Sequence, residues 1–215
     1  MEAIEEELKP GMSEFEAINI IERSYIPLGG TTRIHYLVST SMNDPSAYVP
    51  FQAQRNRRLR KGDIILTEVS AEYSGYAGQI HRPIAVACEP TRVYERLFED
   101  ALSAYESVRE TLRGGATAKQ VVRAMEGLVR SGYTVCDSLV HGFGVDLMYP
   151  DLGPSNSVYP NPDYVFKANM AVVIQPNPVK DGRYGIQLGN LCLVRRNGPA
   201  ISLQKFPMKF VCVGQ

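Results

Sequence analysis

The 215-residue chain lacks an excess of either charge, a long apolar run and any closely spaced pair of cysteines. Lys and Arg total 23, as do Asp and Glu, so no electrostatic attraction to nucleic acid or to an anionic membrane is expected. No apolar stretch is long enough for a transmembrane helix, and no signal-peptide pattern opens the chain. The four cysteines stand far apart, mostly in apolar strand-like contexts that favour reduced, buried thiols. These absences predict a cytoplasmic protein that contacts neither nucleic acid nor membrane.

The chain has enough apolar residues, 44%, to bury a substantial core, and we expect one domain over residues 1–215. The sequence also contains an internal repeat. The segment LKPGMS at 8–13 is matched by LRGGAT at 112–117, an offset of 104 (112 minus 8). Each segment ends in the first residue of a predicted capping box, Ser13 with Glu16 in the first half and Thr117 with Gln120 in the second.

A second pair of segments carries the repeat into the strands. GDIILTE at 62–68 is echoed by NMAVVIQ at 169–175, and both are typical of buried strands that end in a polar side chain. Two such halves predict an α+β fold in which a pseudo-twofold antiparallel sheet is covered by helices. That symmetry would bring Glu68 and Gln175 face to face.

Residues 149–164 contain four prolines in sixteen residues, which is not typical of a regular element. We interpret this segment as a loop. It would either cover the mouth of a site or serve as a plain connector, and the sequence leaves both open.

Four segments occur in a characteristic order: GDIILTEVSAEYSGYAGQIHRP, HGFG, NMAVVIQPNP and YGIQLGNLCLV. In this order they resemble the pita-bread (M24) family of methionine aminopeptidase, aminopeptidase P, prolidase and creatinase, and the resemblance runs from Lys9 onward. It implies a pita-bread fold and a hydrolase of the peptidase or creatinase type. Longer relatives carry a preceding domain, which this chain is expected to lack, and creatinase-type relatives imply a homodimer.

The resemblance also shows which side chains have changed. Metal-dependent members carry Asp, Asp, His, Glu and Glu as metal ligands at the positions that match Glu68, Gln79, His141, Gln175 and Gly189. Two divalent cations bring four positive charges, and here the matching positions supply one carboxylate. We therefore expect no paired metal centre and no other cofactor.

Creatinase, by the same resemblance, breaks a C–N bond without metal and uses the His that matches His141 to move protons. The preferred hypothesis is metal-independent hydrolysis or lysis of a small amide-like or amino-acid-like substrate, or of a short peptide. His141 would be the general acid/base and Glu68 the base or orienting group.

The predicted substrate-binding residues surround these two. Gln79, Gln175 and Gln187 would offer amide donors and acceptors to a neutral or zwitterionic ligand. Arg82 would bind a substrate carboxylate through a bidentate pair of hydrogen bonds. His81 falls where creatinase has a Glu, so it is assigned to the substrate pocket while a guanidinium substrate is disfavoured. Phe51 would form an apolar wall.

Two alternatives stay open. The chain would be a catalytically inactive pseudoenzyme that keeps the pocket to bind a peptide or metabolite, or a divergent metallopeptidase of the Xaa-Pro type with an altered ligand set. Retention of His141 and Glu68 favours chemistry over binding alone, and the loss of three of the four carboxylate ligands, at Gln79, Gln175 and Gly189, argues against the metallopeptidase.

Overall fold

The computed structural model describes residues 1–159 and 163–214. Its four α-helices are α1 (Glu2–Glu7), α2 (Glu14–Arg23), α3 (Arg92–Thr111) and α4 (Ala118–Arg130), with one 3₁₀ turn at Ile26–Leu28. Both predicted capping boxes are confirmed, because the side chains that precede α2 and α4 accept a backbone N–H from the third helical residue, which bonds back in turn.

The strands of the described residues form one large sheet and one small one. They are β1 (Thr31–Ser41), β2 (Asp63–Tyr73), β3 (Tyr76–His81), β4 (Ile84–Val86), β5 (Thr134–Val135), β6 (Val140–Phe143), β7 (Leu147–Leu152), β8 (Ala171–Ile174), β9 (Pro178–Lys180), β10 (Tyr184–Gly185), β11 (Gly189–Leu193), β12 (Ile201–Ser202) and β13 (Val211–Val213). The large sheet has the order β13-β4-β2-β3-β11-β8-β6-β7, with β1 beside β2 and β12 beside β11. Its pairs are antiparallel except β13 with β4, which is parallel, so the expected α+β class is confirmed with a mixed sheet.

The sequence repeat is also a structural repeat. The backbone N–H of Gly11 donates to the carbonyl of Leu59 at 2.8 Å, and that of Gly115 donates to the carbonyl of Phe166 at the same distance. Both glycines have φ of +90°, a left-handed conformation that side-chain-bearing residues avoid. The two halves meet at the centre of the sheet, where β3 pairs with β11.

Strand β2 shows how the fold positions the site. Successive side chains of a strand point to opposite faces, and Ile64 and Leu66 join the core cluster beneath α3 and α4 while Ile65 joins the cluster beneath α1 and α2. By the same alternation Glu68 lies on the face of Ile64 and Leu66. The apolar stripe of this face thus ends in the carboxylate of Glu68.

The interpretation of residues 149–164 as a loop throughout is wrong at its start, because 149–152 belong to β7. This strand is the last in the sheet order, and an edge strand tolerates proline because one side of its ladder is unpaired. Residues 160–162 of the same segment lie outside the described residues. Among the helices of the described ranges, none is both long and apolar enough to cross a membrane.

Candidate active site

A cavity of about 510 Å³ is lined by residues of β1, β2, β3, β6 and β7 and of the loops between them. Four of the predicted site residues line it: Glu68, Gln79, His141 and Gln187. Apolar side chains complete part of the wall, among them Tyr36, Val49, Pro50 and Phe143. The volume suits a small molecule or a short peptide.

Glu68 is held by one amide and is partly buried. The Nε2 atom of Gln79 donates to its Oε1 at 2.6 Å. Burial raises the pKa of the Glu68 carboxyl to about 7, and the negative charge of Asp137 adds to the rise. A carboxyl in this range exchanges protons near neutral pH, as a general base or acid must.

His141 is fixed from both sides of its ring. Its Nδ1 lies 3.1 Å from the carbonyl oxygen of Gly142, and its Nε2 lies 3.3 Å from Oε1 of Gln175. The amide of Gln175 is oriented in turn, since its Nε2 donates to the carbonyl of Ser138 at 2.9 Å. Both ring nitrogens therefore face acceptors, and a neutral imidazole donates to only one of them.

Arg82 does not serve as a carboxylate clamp. It is fully buried, and it is not among the described residues that line the cavity. Its guanidinium donates at 2.7–3.0 Å to five oxygen atoms, those of the carbonyls of His81, Gly189, Phe206 and Pro207 and of the Asn190 side chain. Every donor is engaged within the fold, so Arg82 ties β3 to β11 and to the chain near residue 206.

Three other predicted binding residues also stand outside the cavity wall. His81 is fully buried, and burial lowers the pKa of its imidazole to about 3, so the ring is neutral. Gln175 is not among the described lining residues, and its Oε1 lies 3.3 Å from Nε2 of His141, where it orients the imidazole. Phe51 is 45% exposed, and its neighbours Val49 and Pro50 form the apolar wall instead.

Two carboxylates that sequence reasoning did not assign line the same cavity, Asp137 and Asp151. Oδ1 of Asp137 accepts the hydroxyl of Tyr159 at 2.6 Å. Asp151 lies directly opposite His141 in the β6–β7 pair. Asp151 was missed because residues 149–164 were interpreted as a loop, which has no strand register. Asp137 could have been found from the sequence, since it stands four residues before His141 in a strand-like run. Cys136 also lines the cavity, but burial raises the pKa of its thiol to about 12, which leaves it unreactive.

The residues present do not fit the paired metal centre of the pita-bread enzymes. In the described part of the chain, no three His, Cys, Asp or Glu side chains come together as a metal group. The amide nitrogens of Gln79 and Gln175 donate to Glu68 and to the carbonyl of Ser138, and a neutral amide brings no negative charge to balance a metal dication. At Gly189 the backbone itself fills the space of a side chain, because an added Cβ would lie 2.4 Å from the carbonyl oxygen of Ile174.

Gly189→Ala is expected to lower the free energy of unfolding by roughly 1–3 kcal/mol, since the new methyl group must displace the Ile174 carbonyl. Gly78→Ala is the matched control, because its Cβ would meet only the side-chain amide of Gln204, at 3.7 Å. Urea denaturation of both variants measures the difference. Equal stability of the two would show that the backbone at residue 189 yields easily.

Comparison with known proteins agrees with this fold. The model of metallopeptidase family M24 matches residues 1–196. The probable dipeptidase PepE of Mycobacterium tuberculosis is 25% identical over 214 residues, which is 98% of this chain and 54% of that protein. The Xaa-Pro dipeptidase of Pyrococcus furiosus is 25% identical over 153 residues, 70% of this chain and 42% of that protein.

The solved structure of dipeptidase PepE from Mycobacterium ulcerans superposes with a TM-score of 0.84 at 22% identity, covering 99% of this chain and 56% of that one. At this identity the likeness establishes the fold. The chain spans about half the length of the curated relatives that it matches.

Proposed function

The chain belongs to metallopeptidase family M24, and we propose that its cavity hydrolyses the C–N bond of a small amide or short peptide without a metal centre. One observation carries the proposal: a carboxylate held by an amide, Glu68, and an imidazole held by another amide, His141, face the same cavity. The names of the dipeptidase relatives favour a dipeptide as the substrate class.

The proposed reaction uses groups that the chain itself supplies. Glu68, as the carboxylate, takes a proton from water as the water oxygen bonds to the substrate carbonyl carbon. His141 moves a proton to the leaving nitrogen as the C–N bond breaks. The products are a carboxylic acid and an amine, and transfer of a proton from Glu68 to His141 restores the starting state. The pKa of about 7 at Glu68 suits it to both the uptake and the release of that proton.

The geometry of the former ligand positions supports the metal-free form of the proposal. Zn²⁺ and Mn²⁺ sites are built from carboxylate, imidazole and thiolate donors. Here two of the five positions present amide N–H groups to neighbouring oxygens and one presents only backbone.

We expect protein dialysed against a strong chelator to keep both its melting temperature and its hydrolysis of a dipeptide panel that includes Xaa-Pro sequences, because no bound metal contributes to either. Elemental analysis of the same sample confirms that metal has been removed. Activity that disappears and returns with Mn²⁺, Co²⁺ or Zn²⁺ would instead establish a divergent metallopeptidase. Ligand binding without turnover in any metal state would establish a pseudoenzyme.

A further inference from the structure

A second cavity, of about 320 Å³, meets the catalytic cavity at Phe143. This phenylalanine lines both cavities, and the second is also lined by Tyr76, Val145, Tyr149 and Met170. A concave site of this volume suits a small molecule, whereas a protein partner usually covers a flatter patch of roughly 800 Å². The cavity therefore favours a small-molecule ligand.

The wall of the second cavity is largely aromatic. None of its described lining residues is acidic, basic or a histidine. Tyr76, Val145 and Tyr149 are 70%, 58% and 72% exposed, and large apolar side chains that are exposed together mark binding surfaces. Aromatic walls pack well against a flat ring, and the exposed amide of Asn169 offers donors and an acceptor to a polar group. This chemistry fits an uncharged aromatic molecule.

Phe143 also contacts the candidate general acid/base. Its ring meets the imidazole of His141 edge-on, with the ring centroids 5.7 Å apart and the planes at 83°. The two residues stand two apart in β6, so their side chains lie on the same face of the sheet. Phe143 is 5% exposed and packs with Ala77, Val173 and Leu191. The ring thus lies between the second cavity and the imidazole within a packed cluster.

We propose that the second cavity binds an uncharged aromatic molecule and that Phe143 transmits its presence to His141. The ligand ring packs against Phe143 and changes the contacts that set the conformation of this side chain, and the imidazole that it touches edge-on responds. Coupling of this kind is reciprocal, so occupancy of the catalytic cavity also changes the affinity for the aromatic ligand. The inference goes beyond the proposed hydrolysis, because neither the binding nor the contact requires turnover.

The compounds β-naphthol and decahydro-β-naphthol, its saturated counterpart, test the preference for an aromatic ring, since both are uncharged at neutral pH and carry the same hydroxyl group. Titration calorimetry on the full chain is expected to show β-naphthol binding about fivefold more tightly, the usual scale of a contact between aromatic rings. Equal affinity for the two, or no measurable binding of β-naphthol, would overturn the inference.

Tyr76→Ser and Tyr149→Ser locate the ligand, because each removes one aromatic ring from the wall of the second cavity. Each is expected to weaken β-naphthol binding about fivefold. Tyr73→Ser is the matched control, since this tyrosine pairs with Tyr76 across the β2–β3 hairpin and is 64% exposed, but is not among the described residues that line the second cavity. If all three variants bind β-naphthol like the unmodified protein, the ligand lies elsewhere and the inference is wrong.

Proton NMR of the histidine rings measures the coupling. The chain has three histidines, so their ring resonances are few, and His141→Gln identifies the one that belongs to His141. Saturating β-naphthol is expected to shift the Cε1 proton of His141, through the ring current of Phe143, and to leave that of His35 unchanged. Phe143→Leu keeps an apolar wall without the ring and should lose most of the shift. An equal shift in Phe143→Leu, or none in the unmodified protein, would overturn the coupling.

The outcomes separate this inference from the proposed function. Hydrolysis of dipeptides by a protein that does not bind β-naphthol overturns only the inference. Binding of β-naphthol that Tyr76→Ser weakens, in a protein that hydrolyses no member of the dipeptide panel, overturns only the proposed hydrolase. A dimer that Tyr76→Ser dissociates in analytical ultracentrifugation, without β-naphthol binding, would assign this surface to a second copy of the chain and overturn the inference as well.

Discussion

Glu68→Gln is expected to lower kcat for dipeptide hydrolysis at least about 100-fold, because an amide takes no proton from water. The variant keeps the size of the side chain, and its oxygen still accepts the Nε2 donor of Gln79. The loss should therefore appear in kcat more than in KM. Steady-state kinetics at pH 8 measure it, with the exposed helix residue Glu6 changed to Gln as the control. Full turnover in Glu68→Gln would remove this carboxyl from the mechanism.

The same variant should be more stable than the unmodified protein at pH 8. The pKa of Glu68 is about 7 in the folded chain, against an ordinary value of 4.5. Between pH 4.5 and pH 7 the folded state therefore keeps a proton that the unfolded state has released. This contribution to stability is full below pH 4.5, declines as pH rises and is lost above pH 7. The resulting penalty at pH 8 is on the order of 3 kcal/mol, and glutamine does not suffer it.

Thermal unfolding at pH 5 and pH 8 checks this second effect. Glu68→Gln should melt several degrees above the unmodified protein at pH 8 and close to it at pH 5, whereas Glu6→Gln should differ at neither pH. A higher melting temperature of equal size at both pH values would mean that packing, and not the proton, is responsible. Destabilisation at pH 8 would show that the carboxylate is stabilised by contacts stronger than its burial.

Arg82→Lys is expected to cost at least about 3 kcal/mol of unfolding free energy and to leave little folded protein. Lysine supplies three donors from a single nitrogen, and it cannot reach the five oxygens that the guanidinium now satisfies. Several buried carbonyls would then lose the side-chain donor that the guanidinium supplies.

The matched control for Arg82→Lys is Arg60→Lys, which alters an exposed arginine. Soluble yield and urea denaturation compare the two variants. A folded Arg82→Lys protein of ordinary stability, with a raised KM for carboxylate-bearing substrates only, would restore the interpretation of Arg82 as a substrate clamp.

The features predicted best from sequence were those in which neighbours along the chain determine the structure. Both capping boxes depend on residues three apart, and the offset between the halves is visible as a repeated string. That Glu68, Gln79 and His141 line one cavity was implied by the family resemblance that the ordered motifs carry.

The errors concern contacts between distant parts of the chain. Nothing in QIHRP indicates that carbonyls more than 120 residues downstream surround the Arg82 guanidinium. The role of Asp151 depended on whether a proline-containing segment pairs as an edge strand, which is decided by its partner β6 and not by its own composition. Phe51 was displaced from the wall by the course of its loop, which no local pattern specifies.

The close approach at Gly189 has a consequence for protein engineering. Replacing Gln79 and Gln175 with acids would be simple exchanges of an amide for a carboxylate, but a glutamate at position 189 has no volume to occupy, since the Ile174 carbonyl lies within 2.4 Å of its first carbon. A designer who wished to install two metal ions would first have to rebuild the spacing between β8 and β11. The installation of a two-metal centre would therefore need a shift of the main chain at Gly189 as well as the exchange of side chains.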